Sequence, residues 1–168
     1  MNSLISRKIM ISQWTLLALL ALLNGCSSAS SMAESQARMF NKDLASKQLP
    51  FRYVVKEGPR GGYVATPEWA GTPADSVTLV SPLLNADIHA AIEQHCGHTR
   101  QNLVETRLVE VKIPVVYEVW VYLDPQSKRQ DGLSGLSVIM TQLPNEGGVN
   151  FSVRGACHAP GEVTFGFN

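Results

Sequence analysis

Apolar and polar positions divide the chain into stretches of different period. A continuous apolar run, Ile9 to Leu23, comes first and follows Arg7 and Lys8 directly. Ala33, Ala37, Phe40 and Leu44 then recur at spacings of 4, 3 and 4, with Arg38, Lys42 and Asp43 off the stripe. That period predicts a helix, opened by a capping box of Ser31 and Glu34. It ends before Pro50, which pushes Leu49 toward extended backbone. The stripe is thin, so this helix is expected along the edge of the domain. A second helix is expected from Pro82 to Cys96: Leu84, Ile88, Ala91, Ile92 and Cys96 repeat at helical spacing. Ser81-Pro82 supplies the start and Gly97 the stop.

Elsewhere the period is two. In Phe51 to Lys56, Phe51, Tyr53 and Val55 share one face, and Tyr63 to Thr66 is expected to return as the other half of a hairpin across the turn residues 57–62. Ser76 to Val80 is predicted as a short strand and Pro67 to Asp75 as a loop, in which Trp69 is either a lid on the core or an exposed contact. From Leu103 onward Val109, Val111 and Ile113 alternate with Glu110 and Lys112, and Pro114 interrupts at an edge or bulge. Val115 to Leu123 is apolar on both faces. Leu133 to Leu143, Val149 to Cys157 and an edge segment carrying Val163, Phe165 and Phe167 complete the strands.

Tight turns between strands, with two helices, predict an α+β fold. The expected object is a mainly antiparallel twisted sheet with the 82–96 helix packed on one face, a preceding N-terminal amphipathic helix and one disulfide. A strand apolar on both faces is usually covered on both sides. The alternative for Trp120 and Tyr122 is an exposed aromatic stripe that takes a partner.

The first apolar run changes the picture of location. It has the length of a signal-peptide core and is short of the roughly 20 residues of a membrane-spanning helix. Leu23-Asn24-Gly25-Cys26 at its end resembles the bacterial lipobox. The resemblance implies cleavage before Cys26, acylation of that cysteine and, with Ser27 next, delivery to the outer membrane. A plain secretory peptide or an uncleaved anchor are the alternatives. The expected organisation is a lipoprotein signal peptide at 1–25, a lipidated serine-rich tether at 26–31 and one domain at 32–168. That domain faces the periplasm and is held to the lipid membrane through Cys26.

The chain has 14 basic and 14 acidic residues. Cleavage removes Arg7 and Lys8, leaving twelve basic residues and a net charge of −2, with no basic cluster for nucleic acid. With Cys26 lipidated, Cys96 and Cys157 remain, and an oxidising compartment would pair them. Two free buried thiols are the alternative. Closing a loop of about 60 residues is worth roughly 4 kcal/mol in the chain-entropy account.

Catalytic signatures are missing. There is no Gly-x-Ser-x-Gly elbow, and the glycine-rich turn at 58–62 lacks the following helix and Lys-Ser/Thr of a phosphate loop. Glu110 and Glu118 are expected to face solvent or a neighbouring lysine. The chain is therefore expected to be non-enzymatic and to carry no cofactor. Histidine is the one constellation left. His95 and His98 flank Cys96 and His158 follows Cys157, so a disulfide draws all three toward one place where a metal site could assemble. Exposed histidines at element ends are the commoner outcome.

In element order the chain resembles the α/β-type pilotin lipoproteins of type II secretion. The resemblance rests on the lipobox cysteine, a helix ending near Leu49-Pro50-Phe51, a strand pair, a helix ending in Cys96, and strands running to Cys157. It implies a protein-binding accessory or scaffold of an envelope assembly for secretion or conjugation, with a secretin segment as partner. A metal- or small-ligand-binding lipoprotein is the alternative function.

Overall fold

The computed structural model describes residues 30–58, 61–145 and 147–167. Cys26 and the signal peptide expected at 1–25 therefore lie outside the described residues. Two helices, α1 (30–46) and α2 (Pro82–Cys96), accompany eight strands. The strands are β1 (Phe51–Glu57), β2 (Tyr63–Trp69), β3 (Thr72–Pro73), β4 (Leu103–Lys112), β5 (Val115–Leu123), β6 (Leu133–Gln142), β7 (Val149–Arg154) and β8 (Phe165–Phe167). The fold is α+β and antiparallel throughout, but its strands form two sheets rather than one. β1-β2-β8 make a small sheet and β3-β4-β5-β6-β7 a larger one.

The two-faced strand β5 explains the division. Tyr117, Val119 and Val121 point to one side, where they pack with Ile139, Trp69 and Phe51. Trp120 and Tyr122 point to the other, where they pack with Leu136, Val138 and Met140 beneath Ile88 and Ile92 of α2. The small sheet covers one face and α2 the other, which is the burial that a continuous apolar strand requires. Trp120 and Tyr122 have no exposed surface. They are core residues, and the exposed-stripe alternative for a partner is overturned.

Close approach of the two sheets depends on Gly135. A Cβ at this position would stand 2.5 Å from the Trp69 ring, so only glycine admits that ring against the large sheet. Arg129 lies 4.4 Å from the centre of the same ring, a cation–π contact at the margin of the core. Trp69 is thus a core residue at the end of β2, not part of a loop.

Helix α1 closes the small sheet. Ala33 and Ala37 are buried, and Phe40 stacks on Phe165 of β8 at 5.3 Å. The Asn41 amide donates to the Tyr53 carbonyl (2.8 Å) and accepts from the Tyr53 N–H (2.7 Å). Tyr53 faces Pro67 at a non-hydrogen-bonded position of the β1–β2 ladder, so its backbone groups point outward and the proline costs no ladder bond. Asn41 satisfies them and blunts the edge of β1.

Several local expectations are corrected. α1 already includes residue 30, so Ser31 is inside the helix and not its cap. Val77–Val80 is a 3-10 turn, not a strand, with the Ser76 hydroxyl accepting from the Thr78 N–H. Helix α2 keeps its predicted limits: Pro82 is in the first turn and Gly97 takes φ 72°, though Ser81 makes no side-chain cap. Pro114 sits in the β4–β5 turn after a cis peptide bond. The strand expected through Cys157 ends at Arg154.

Candidate functional site

Helix α2 runs along β5, and chemistry gathers at both of its ends. At the C-terminal end, Cys96 is bonded to Cys157, with a Cα–Cα distance of 4.9 Å. The left-handed Gly97 ends the helix and delivers His98 inward. The His98 ring stacks on Tyr122 at 5.2 Å, and its Nε2 lies 2.6 Å from the Cys157 carbonyl oxygen, to which it donates. The Tyr122 hydroxyl is buried with no partner among the described residues, and burial raises its pKa.

Asp124 follows β5 and is 2% exposed. It accepts from Ser134 Oγ at 2.6 Å and from the Gln126 N–H at 2.9 Å. His158 Nδ1 stands 3.1 Å from its Oδ2. Burial alone would raise the Asp124 pKa. The bonds from Ser134, Gln126 and His158 outweigh it and hold the carboxyl below the usual carboxylate range. His98, Asp124 and His158 each bring one possible ligand atom to within 4.8 Å of the others.

Two of the three histidines expected near the disulfide thus meet, and His95 does not join them; it is exposed in the last turn of α2. Asp124 went unnoticed in the sequence although a signal exists. It continues the even-numbered row of Trp120 and Tyr122, which faces the helix that ends in Cys96. Ser134, Asp124 and His158 have the residue types of a catalytic triad but not its order. Asp124 lies between the other two, and the fully buried Ser134 donates to the carboxylate rather than to an imidazole.

The N-terminal end of α2 differs. Glu118, expected to be exposed, is buried. It accepts from Ser76 Oγ (2.7 Å), the Val77 N–H (2.7 Å) and Trp120 Nε1 (2.8 Å), which is why β5 tolerates a carboxylate in its core. A cavity of about 540 Å³ opens beside it, lined by Asn85, His89, Arg100, Glu105 and Trp120 among others. Nδ1 of His89 is buried without a partner among the described residues. Burial first, then the Arg100 charge, lower the His89 pKa against a smaller opposing effect of Glu93.

A second space of about 540 Å³ lies between the start of α2 and the β4–β5 and β6–β7 turns. Val80, Leu83 and Ile113 line it and are 92%, 74% and 80% exposed, with Met140 and Val149 also contributing. Among the described residues Asp87 is its one charged lining side chain. This groove drew no notice in the sequence, because Ile113 lies some 30 residues from Val80 and Leu83.

Among the described residues no helix is long and apolar enough to cross a membrane. The disulfide suits an oxidising, extracytoplasmic space. Comparison with known protein families, curated proteins and solved structures finds no match to this chain.

Proposed function

We propose that the chain is a lipid-anchored accessory protein of the bacterial envelope whose domain binds a short apolar segment of another envelope protein. The observation that carries this is the groove at the start of α2, where Val80, Leu83 and Ile113 hold apolar side chains out of any core. Isolated surface apolar residues are ordinary, but a lined, contiguous apolar groove marks an interaction site. Asp87 sets the complementary charge. The occupant is an amphipathic segment with one basic residue beside its apolar anchors, laid in as helices lie in grooves. Acylated Cys26 would hold the domain at the outer membrane, facing the periplasm. A pilotin-like role, with a secretin segment in the groove, is the specific form of this proposal.

Photo-cross-linkers placed at Leu83 and Ile113 in intact cells test it, with the exposed Lys47, just after α1, as the control position. The expected product from both groove positions is one envelope protein, joined through a segment that carries apolar residues and a neighbouring Lys or Arg. Leu83→Glu should abolish that product by setting a second carboxylate beside Asp87. It should shift folding stability by no more than about 0.5 kcal/mol, as for other exposed positions. Equal cross-linking from Lys47, or none from the groove, would overturn the proposal.

A further inference from the structure

The cluster at the other end of α2 supports a conclusion independent of the groove. We propose that His98, Asp124 and His158 form a binding site for a divalent transition-metal ion, Zn²⁺ in the first instance. Two imidazoles and a carboxylate are a donor set that suits such ions, and three protein ligands leave a further position for water. Their ligand atoms already lie within 4.8 Å of one another.

What separates this cluster from a chance meeting of polar side chains is the support behind each ligand. In metal sites a ligating histidine donates its other ring N–H to a carbonyl or carboxylate, and ligating carboxylates are themselves hydrogen-bonded. His98 meets that requirement. Its Nε2 donates to the Cys157 carbonyl, which leaves the lone pair on Nδ1, the nitrogen that would have to take the ion. The ring is held flat on Tyr122. Asp124 meets it too, being gripped by Ser134 Oγ and the Gln126 N–H. Ser134 is itself fixed by the Ala159 N–H, which donates to its Oγ at 2.7 Å.

His158 is the adaptable member. Its side chain is 40% exposed while that of Asp124 is 2% exposed. Ligands about 2.0–2.2 Å from a tetrahedral ion stand roughly 3.3–3.6 Å apart. His158 Nδ1 already stands 3.1 Å from Asp124 Oδ2, so the movement of up to about 1 Å that remains is toward His98, and His158 is the arm with room to move. An ion would enter from the exposed side of His158. The disulfide places both histidines: His98 lies two residues after Cys96 and His158 one residue after Cys157.

Calorimetric titration of the chelator-treated full chain with ZnCl₂ alone tests the proposal, with thermal melts run in parallel. One ion per chain is expected, with a higher melting temperature when the ion is bound. His158→Ala should weaken binding by at least roughly tenfold and shrink the rise in melting temperature that the ion produces. Asp124→Asn should act in the same direction on binding. His95→Ala should bind as the parent does. No one-to-one binding, full affinity in His158→Ala, or an equal loss in His95→Ala would each overturn the proposal. If Asp124→Asn does not fold, His158→Ala decides.

Discussion

The two ends of α2 share one helix and one facing strand, yet are built on opposite terms. At the C-terminal end a disulfide, a carbonyl-bound imidazole and a carboxylate held by Ser134 and Gln126 fix the cluster apart from the more exposed His158. At the N-terminal end Ser81 makes no side-chain cap, and apolar side chains point into an open groove. The central turns, with Ile88 and Ile92 fully buried, belong to both ends and hold the helix down. Burying each of these side chains is worth about 1.5–3 kcal/mol. Fixing one end lets the other carry exposed apolar surface without losing its position, because the helix axis is already set by the staple and the core.

This contrast is open to direct attack. The largest effect is expected from removing the staple. Replacing both Cys96 and Cys157 by Ser should cost about 4 kcal/mol and lower the melting temperature by roughly 10–15 °C. The C-terminal end should loosen first, seen as faster amide exchange around His98 and Asp124 than around Leu83. A melting curve that does not move would mean the covalent end owes its fixity to the hydrogen bonds alone.

Glu118→Gln comes next. The carboxylate takes three donors, from Ser76, Val77 and Trp120, and an amide would turn an NH₂ toward one set of them. A loss of about 1–3 kcal/mol in denaturant unfolding is expected. Cross-linking from Leu83 should also fall, since Ser76 and Val77 anchor the turn that carries Val80. Full stability in this variant would show that water can replace the lost acceptor.

The smallest effect is a slope. His89 has a folded pKa below its ordinary value of about 6.5, so the unfolded chain binds the proton more readily. Its contribution to stability is complete above that value and is lost as pH falls below it, toward the lowered folded pKa. His89→Gln should flatten the decline in stability between neutral pH and the mildly acidic range, measured by urea unfolding at a series of pH values. An unchanged slope would assign the decline to other groups.

Much of the fold was legible along the chain. The 82–96 helix, with Pro82 opening it and Gly97 closing it, could be bounded because both residues act through their own backbone dihedrals. The parity of β5 could be read because strand side chains alternate by covalent geometry. The alternation expected of Val109, Val111 and Ile113 fails, because β4 is bulged between Leu108 and Glu110 and Val111 and Ile113 are exposed. The pairing of Cys96 with Cys157 was legible because they are the two cysteines left once the lipobox resemblance sets Cys26 aside. Three features were not legible in the same way. Trp120 and Tyr122 could have faced solvent or core, since alternation says which residues share a face and not what covers it. Glu118 looked like an exposed strand carboxylate because two of its partners, Ser76 and Val77, lie more than 40 positions away. Asp124 looked like the start of a polar connection.

By itself, then, the amino-acid sequence determined what depends on neighbours in the chain: the limits of α2, the parity of β5, the α+β class and the cysteines available to pair. Tertiary structure alone decided how the strands divide between two sheets, which face of β5 meets α2, and which polar side chains meet. It also decided that the groove exists at all. The physical reason is range. Backbone propensity and periodicity act over a few residues. A buried carboxylate, a His-Asp-His cluster or a groove depends on side chains brought together from 30 to 60 residues apart, and their identity emerges only when the layers close.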